Sequence, residues 1–376
     1  MPLKVLVVDD SALMRKHLTT LLKAEGFEVQ IARTGREALT ELSFFKPDVV
    51  TLDINMPEMD GLTALAHIMT ERPTPTVMVS SLTERGALAT LEALALGAVD
   101  YIAKPGGTIS LSIDAISSSI VQKVRAASEA RIRGRPGRGD RYKAVPASAS
   151  APVSASASAA ASARASLVKD ATPRKRTYPV SGSPFGLVLI GVSTGGPRTL
   201  EEILPFLPAN LPWPVLVAQH MPPSFTASLA SRLNGLCPLE VREGASMEEL
   251  RPGNIYIARG GTDMVVAQRG SKLVIINRPE SPVHTWHPSV ELLVQTAAEL
   301  VPAEKIIAVQ LTGMGHDGAQ AMTDLRKAGG RTIAESDETA IIFGMPAELI
   351  KRGGAECVLP SGKIAQQIRQ WIGRAS

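Results

Sequence analysis

One segment of the sequence divides the chain, because it cannot contribute to a folded core. Residues 147–166 contain 10 Ala and 7 Ser, and such small side chains bury too little apolar surface to offset the entropy lost on folding. Together with the Arg-, Gly- and Pro-rich stretch before it, this tract predicts a disordered linker over residues 126–182. We therefore expect two folded domains, over residues 1–125 and 183–376.

The linker also carries the positive charge of the chain. The formal net charge is +4, but residues 123–176 alone hold 13 Lys or Arg against 3 Asp or Glu. The rest of the chain is therefore mildly acidic, whereas a nucleic-acid-binding surface needs basic residues on a folded face with interleaved aromatic residues. We predict a basic linker and no nucleic-acid partner.

Cysteine content and hydropathy indicate the cellular compartment of the protein. The chain has two cysteines, Cys237 and Cys357, which is typical of a reducing compartment and argues against a disulfide framework. Asp9 and Asp10 interrupt the apolar start of the chain, unlike the core of a signal peptide. The longest uncharged stretch, residues 144–163, is too polar to cross a bilayer. We expect a cytoplasmic monomer without membrane insertion.

The N-terminal domain has the pattern of a doubly wound parallel sheet. Five short aliphatic runs alternate with helix-like stretches, and this alternation favours parallel strands with helices on the faces of the sheet. The predicted strands are KVLVV, FEVQIA, DVVTL, TVMVS and VDYIA. In sheets of this kind, ligands bind at the carboxyl ends of the strands.

Acidic, hydroxyl and basic residues stand at those strand ends. Asp9 and Asp10 follow the first strand, Asp53 ends the third, Ser80 ends the fourth and Lys104 follows the fifth. Three carboxylates at one edge would repel each other unless a cation binds, and hard oxygen ligands suit Mg²⁺. The ion would orient a phosphoryl donor towards one carboxylate, and the ammonium and hydroxyl groups would bind the phosphoryl oxygens. An isolated Asp-Asp pair is more often a polar strand end, but here five positions agree in order and spacing.

The N-terminal domain resembles a response-regulator receiver domain, which has a flavodoxin-like fold. The matching stretches are VLVVDDSALMR, DVVTLDINMPEMDG, VMVSS and AVDYIAKPGG. The resemblance implies that Asp53 is the phospho-acceptor. It also implies an Mg²⁺ site formed by Asp10 and Asp53, with Asp9 assisting and the backbone carbonyl of Asn55 contributing.

The C-terminal domain repeats the strand–helix alternation with insertions. The runs FGLVLI, PVLVAQ, KIIAVQL and GRTIAE are typical of buried parallel strands. Between them, NIYIA, MVVAQ and LVIIN predict antiparallel strands, with Arg269-Gly270-Ser271 as a hairpin turn. We expect a doubly wound, mainly parallel α/β hydrolytic domain with an antiparallel addition.

The first C-terminal strand leads directly into GVSTGGP, which indicates a serine nucleophile. The sequence satisfies G-x-S-x-G at a strand-to-helix turn, the geometry that exposes the hydroxyl of Ser193. Glycines allow the sharp turn and leave backbone amides near an anionic oxygen. A dinucleotide-binding loop would instead need G-x-G-x-x-G and an acidic residue ending the next strand, which ends in Gln219-His220. On the loop alone, a Gly/Ser turn without function explains the pattern equally well.

Two further strand ends supply a base and an orienting carboxylate. His220 ends the next predicted strand and is the natural base for Ser193, while Asp317 lies in TGMGHDG after the strand KIIAVQL. Asp317 is therefore the candidate that orients His220. The chain order Ser, His, Asp differs from the Ser, Asp, His of α/β-hydrolases, which excludes that fold.

The C-terminal domain resembles the catalytic domain of chemotaxis protein-glutamate methylesterases, the CheB family. The matching stretches are IGVSTGGP, VLVAQHMP, VIIN, HPSVELL, LTGMGHDGA and IIFGMP. The resemblance implies that Ser193 is the nucleophile, His220 the base and Asp317 its orienting partner. It also points to Thr194 and Met314 as residues that shape the site or stabilise the oxyanion.

The family resemblance implies an activity, its partners and its control. The activity is hydrolysis of glutamyl methyl esters on methyl-accepting chemotaxis receptors, which releases methanol, together with deamidation of receptor glutamines to glutamates. Ester hydrolysis would need no cofactor. Phosphorylation of Asp53 by a chemotaxis histidine kinase would relieve obstruction of the hydrolytic site by the receiver domain. His316 stands where Asn is expected, and we predict that its ring points at solvent or substrate.

Three other classes of protein explain the sequence less well. A receiver joined to a DNA-binding domain would need a helix-turn-helix with a basic recognition helix, and the C-terminal half has the pattern of neither. A non-catalytic scaffold would tolerate loss of Ser193, His220 or Asp317, yet all three are present. A metal hydrolase would use His284 and His287, but no cysteine is placed to join them.

Overall fold

The structure is a computed structural model that describes residues 2–81, 83–104, 109–130 and 185–375. The predicted linker lies outside these residues from position 131 onwards. No helix in the described ranges is long and apolar enough to cross a membrane.

The N-terminal residues form a five-stranded parallel sheet, as predicted. The strand order is β2-β1-β3-β4-β5, and every neighbouring pair is parallel. Its strands are β1 (Lys4–Val8), β2 (Glu28–Ala32), β3 (Val49–Asp53), β4 (Thr76–Ser80) and β5 (Asp100–Ala103). Its helices are α1 (Ala12–Ala24), α2 (Gly35–Phe45), α3 (Gly61–Glu71), α4 (Glu84–Leu96) and α5 (Ile109–Ser128).

Local sequence explains where these helices start and how they cover the sheet. The hydroxyl of Ser11 caps α1 by accepting the N–H of Met14 at 3.4 Å, and the carboxylate of Asp60 caps α3 by accepting the N–H of Thr63 at 2.7 Å. Apolar residues of α1 and α5 pack on one face of the sheet, and those of α2, α3 and α4 pack on the other. Strands β3 and β4 are consequently buried along their whole length.

The C-terminal domain contains a seven-stranded sheet of order β14-β13-β12-β6-β7-β9-β8, in which every pair is parallel. Its strands are β6 (Leu187–Val192), β7 (Val215–Gln219), β8 (Glu240–Glu243), β9 (Asn254–Ile257), β12 (Ile306–Gln310), β13 (Arg331–Glu335) and β14 (Cys357–Leu359). A separate antiparallel pair consists of β10 (Thr262–Arg269) and β11 (Lys272–Pro279). The helices are α6 (Gly196–Ile203), α7 (Pro223–Asn234), α8 (Val290–Leu300), α9 (Ala319–Lys327), α10 (Met345–Lys351) and α11 (Ser361–Ala375).

The antiparallel addition is smaller than the sequence predicts. The NIYIA run was predicted to be antiparallel, but β9 pairs in parallel with both β7 and β8. All four residues of β9 are buried, as in the other central strands, because the sheet continues beyond it into β8. The sequence does not reveal β8, since this short edge strand has only one apolar residue, Val241. The predicted hairpin turn is present, with Arg269 opposite Lys272 and Gly270 at a φ of 60°.

The N-terminal domain packs against the edge of the C-terminal sheet where β6 and β7 end. Helix α4 contacts α6 and α7, and Tyr101 of β5 stacks on Phe225 of α7 with 4.7 Å between ring centroids. Ile342, together with the partly buried Met314 and Ile341, packs into a hydrophobic cluster of receiver residues. The predicted hydrolytic residues follow the strands at this edge.

Candidate hydrolytic site and receiver site

Ser193 follows strand β6 on a sharply turning loop, and its backbone forms hydrogen bonds with three other residues. The N–H of Ser193 donates to the carbonyl of Thr312 at 2.9 Å, and its own carbonyl accepts from the Gly196 N–H at 2.8 Å and Gln219 Nε2 at 2.9 Å. Gly195 has a φ of 81°, and a Cβ at Gly196 would lie 1.9 Å from Gln219 Oε1. The glycines are therefore required both by the turn and by the close approach of Gln219.

His220 follows β7 and Asp317 lies in the loop after β12, on either side of the strand that leads to Ser193, and the two side chains form a hydrogen-bonded pair. His220 Nε2 lies 2.8 Å from Asp317 Oδ2, and the two side chains are only 8% and 3% exposed. His220 Nδ1 is buried and has no hydrogen-bond partner among the described residues. If Nε2–H donates to the carboxylate, Nδ1 keeps its lone pair and can accept a proton. His220 and Ser193 line the same cavity of about 140 Å³.

The first turn of α8 holds Asp317 in its ionised form. The N–H of Val290 donates to Oδ2 at 2.7 Å, the N–H of Glu291 donates to Oδ1 at 3.0 Å, and the hydroxyl of Ser289 donates to Oδ1 at 3.2 Å. Burial raises the pKa of Asp317, but the hydrogen bond and charge of His220 and the two N–H donors outweigh it, so the pKa lies below its ordinary value. Asp317 is thus a carboxylate with its donors already in place.

Sequence reasoning assigned no supporting role to three residues that contact Ser193, His220 or Asp317. Gln219 holds the carbonyl of Ser193, Gln310 Nε2 holds the carbonyl of Asp317 at 2.9 Å, and the ring of Trp286 stacks on His220. The two glutamines end apolar strands at the carboxyl edge, which was a usable signal. Trp286 stands in a loop without periodicity, and nothing local to it indicates its neighbour.

The remaining histidines form no metal site with the residues described. His316 is exposed, and its ring meets Trp286 edge-on at 5.1 Å, while the hydrogen bonds to the Asp317 carboxylate come from other residues. His287 Nδ1 lies 2.9 Å from Asp263 Oδ1. Within the described part of the chain, the only cluster of three His, Cys, Asp or Glu side chains able to hold a metal lies in the receiver domain. His284 and His287 therefore do not assemble the metal site that HxxH would allow.

That cluster consists of Asp9, Asp10 and Asp53, each of which offers an oxygen within 4.8 Å of the others. Lys104 Nζ lies 3.1 Å from Asp9 Oδ2 and 2.7 Å from Asp53 Oδ2, and the N–H of Asn55 donates to Asp53 Oδ1 at 3.3 Å. Apart from the ion pair with Lys104, the two Oδ2 atoms have no hydrogen-bond partner among the described residues. One ammonium does not balance three carboxylates, so the donor set fits a hard divalent cation such as Mg²⁺.

The charges around Asp53 affect both partners of its ion pair. Burial raises the pKa of Asp53, Lys104 lowers it, and the neighbouring Asp9 raises it again, so that the pKa stays above its ordinary value. Burial lowers the pKa of Lys104, but its two carboxylate partners outweigh this and raise it. The hydroxyl of Ser80 donates to the carbonyls of Ser81 and Gly86 at 3.3 and 3.2 Å, so it is bonded to backbone at the start of α4.

Receiver residues form one wall of the hydrolytic cavity. Thr194 Oγ1 donates to Asp100 Oδ2 at 2.6 Å, and Lys123 Nζ lies 3.1 Å from Asp100 Oδ1. The cavity is lined on the receiver side by Leu94, Asp100, Tyr101, Ser119, Gln122 and Lys123, and on the other side by residues that include Ser193, Thr194, His220, Trp286 and Met314. The hydroxyl of Thr194 is thus bonded to the receiver domain, and Met314 lies on the cavity wall.

The fold and the two sites define a class of protein: a response-regulator receiver domain joined to an α/β hydrolytic domain. Residues 5–113 match the family described as response regulator receiver domain, and residues 188–368 match the family described as CheB methylesterase. The chain belongs to the CheB methylesterase family.

Two similar proteins match nearly the whole chain. It is 53% identical to a protein-glutamate methylesterase/protein-glutamine glutaminase of Rhodospirillum rubrum, over 99% of this chain and 96% of that protein. It is 47% identical to a protein of the same description from Rhodopseudomonas palustris, over 98% of each chain. Among solved structures, the CheB methylesterase catalytic domain of Thermotoga maritima is 41% identical, covers 50% of this chain and 99% of that one, and has a TM-score of 0.49.

Proposed function

We propose that this protein hydrolyses glutamyl methyl esters on methyl-accepting chemotaxis receptors to glutamate and methanol, and deamidates receptor glutamines. The observation that carries the proposal is the hydrogen-bonded pair His220–Asp317, which shares one small cavity with Ser193. The names of relatives matched over nearly their whole length supply the reaction, which acts on methyl esters of protein glutamates and on protein glutamines, and the resemblance to chemotaxis methylesterases supplies the receptors as substrate. An acyl-transfer site needs a nucleophile, a base and a group that orients the base, and these are the groups that the three strand ends supply.

In the proposed mechanism, Ser193 Oγ attacks the glutamyl carbonyl while His220 Nδ1 takes its proton. Asp317 keeps the imidazole in the required tautomer and stabilises the imidazolium. The proton then passes to the leaving methoxide or amide nitrogen, which departs as methanol or ammonia. Water attacks the resulting glutamyl-serine ester by the same route and restores Ser193. Backbone amides of the loop, with Thr194 and Met314 shaping the site, would stabilise the oxyanion.

The receiver domain would control this reaction through the wall it contributes to the cavity. A chemotaxis histidine kinase would phosphorylate Asp53, and a bound Mg²⁺ would neutralise charge among Asp9, Asp10 and the phosphoryl group. Lys104 would bind a phosphoryl oxygen, and the hydroxyl of Ser80 would bind another after leaving its backbone partners. A phosphorylated receiver that fits the wall less well would shift the population towards an open cavity.

Substitution of Ser193 by Ala tests the nucleophile. We expect the variant to lose methanol release from methyl-labelled receptors by about 10³-fold or more, because no covalent intermediate can form. The matched control is Ser271→Ala in the exposed hairpin turn, which should keep the wild-type rate. Methanol release by the Ser193→Ala variant near the wild-type rate would exclude the serine mechanism.

A further inference from the structure

The loop before α8 places an indole ring parallel to the imidazole of His220 and beside it. The ring planes of Trp286 and His220 are 3° apart, and their centroids are separated by 5.9 Å, an offset stack. Trp286 also lines the cavity that contains Ser193. We propose that Trp286 is a positioning residue for His220, a role that rests on the function proposed above.

A buried carboxylate fixes the backbone that carries this ring. Asp263 is fully buried, and its Oδ1 lies 2.9 Å from His287 Nδ1 and accepts the N–H of Ser289 at 2.8 Å. Its Oδ2 accepts the N–H of Ser281 at 2.9 Å. Because these contacts hold the segments before and after it, Trp286 lies on a constrained part of the loop.

The indole also lies close to the turn that precedes Asp317. A Cβ at Gly315 would lie 2.6 Å from Trp286 Cζ2, so the ring sits as close to this backbone as a glycine permits. The ring of His316 meets the indole edge-on, at 89° and 5.1 Å. Trp286 therefore contacts both the Gly315–His316 turn and His220, and these contacts restrict the orientation of its ring.

This contact supplies a restraint that Asp317 does not. The hydrogen bond at Nε2 fixes one atom of the imidazole, but the ring can still rotate about that direction. A flat neighbour fixes the plane and so directs Nδ1 within the cavity, and errors of 10–20° in a catalytic group are costly. An aromatic face also favours the imidazolium that forms when Ser193 is deprotonated.

Two substitutions of Trp286 distinguish the effect of a planar aromatic ring from the effect of side-chain volume alone. In the full-length protein activated by a phosphodonor, Trp286→Leu should lower kcat for methanol release about tenfold or more, with KM within about threefold. Trp286→Phe keeps a flat face and should stay within about threefold of the wild-type kcat. The matched control is Trp371→Phe, which alters a buried indole of α11 that does not line the cavity and should leave kcat unchanged.

Fluorescence tests the contact without any substrate. The emission of Trp286 is obtained by subtracting the fluorescence spectrum of a Trp286→Phe variant from that of the same protein with Trp286 in place. A protonated imidazole beside the indole should quench this emission. His316→Asn removes the histidine that meets the indole edge-on, and quenching that persists in this variant but is lost on further substitution His220→Gln belongs to His220 rather than to His284 or His287. Asp317 is bonded to Nε2, and the other ionisable groups that line the cavity with His220 are Asp100, Tyr101 and Lys123 of the receiver. The midpoint should match the acid limb of the kcat/KM profile.

The outcomes are distinct. If Trp286→Leu raises KM and leaves kcat unchanged, Trp286 is only a wall of the substrate site and the proposal is wrong. It is also wrong if the emission does not titrate in the His316→Asn background, a result that stands even if the Leu variant fails to fold. If the wild type releases no methanol, the proposed hydrolysis fails, whereas the emission titration still decides whether the indole reports on His220.

Discussion

The two sites of this protein occupy equivalent places in similar sheets but differ in how their carboxylates are balanced. Asp53 ends the buried strand β3 and Asp317 lies in the loop after the buried strand β12, so that both stand at the edge where parallel sheets bind ligands. Asp317 receives two backbone N–H groups, one hydroxyl and His220. Asp53 instead faces two further carboxylates and shares a single ammonium with Asp9.

The two pKa shifts follow from this difference. Burial raises both pKa values, but donors supplied by the fold bring the pKa of Asp317 below its ordinary value, whereas the pKa of Asp53 stays above it. The hydrolytic site thus carries its own electrostatic complement and is preorganised. In the receiver site, the protein itself leaves negative charge on the carboxylates unneutralised. A site that binds a cation together with a phosphoryl group requires this excess of negative charge.

The largest effect should come from removing the charge that α8 stabilises. In Asp317→Asn, an amide NH₂ faces the N–H donors of α8 or the Nε2–H of His220, and two donors cannot form a hydrogen bond with each other. His220 is therefore no longer held in the tautomer that carries its proton on Nε2. We expect methanol release to fall by about 10²–10⁴-fold. Asp324→Asn, an exposed carboxylate of α9, is the control and should retain the wild-type rate. Activity of Asp317→Asn within tenfold of wild type would show that the pairing is not needed.

The same substitution has a pH-dependent effect on stability. Because the folded-state pKa of Asp317 is lowered, its carboxylate stabilises the fold above the ordinary carboxyl pKa, and this contribution is lost as pH falls through the folded-state pKa. Asp317→Asn should therefore lower the free energy of unfolding by roughly 1–3 kcal/mol at neutral pH, and by less as pH falls below about 4. Denaturant unfolding of both proteins from pH 7 to pH 3 measures the difference, and a constant difference would contradict the assignment.

The receiver site should respond to substitution in a different way. Asp53→Asn cannot form the acyl phosphate and weakens cation binding, so a phosphodonor should no longer raise methanol release above the basal rate. The basal rate itself should stay near that of the wild type, because Asp53 is not part of the hydrolytic cavity. Activation that persists in Asp53→Asn would place the phospho-acceptor elsewhere.

How much the sequence predicts differs between the fold and the sites. Both parallel sheets were predicted from aliphatic runs, and the ends of those runs placed the residues of each site on one edge. Contacts to the site residues from segments distant in sequence were not predicted, because no local pattern links Trp286 to His220 or the first turn of α8 to Asp317. The bond between Thr194 and Asp100 joins residues 94 positions apart, and it depends on how two folded domains pack.

Removing the hydrogen bond between Thr194 and Asp100 should have a smaller effect, on the basal rate of hydrolysis. Asp100→Ala removes the acceptor of the Thr194 hydroxyl and the partner of Lys123. A hydrogen bond worth about 1 kcal/mol should raise the basal rate roughly fivefold if it helps to hold the receiver over the cavity. Asp324→Ala is the matched control. A basal rate unchanged in Asp100→Ala would show that this contact does not limit access to Ser193.

The smallest effect should come from the Ala/Ser tract, because the two sites are expected to communicate through the packed interface. Deleting residues 147–166 removes 20 of the 57 residues of the predicted linker. Loop-closure entropy varies with the logarithm of length, so this deletion changes the closure free energy by only about 0.4 kcal/mol. We expect the basal rate and the activation by phosphodonor to stay within about twofold of the wild type. If the tract instead docks on a partner or in the cleft, limited proteolysis of the full-length protein would show it protected, and its deletion would alter activation as strongly as Asp100→Ala.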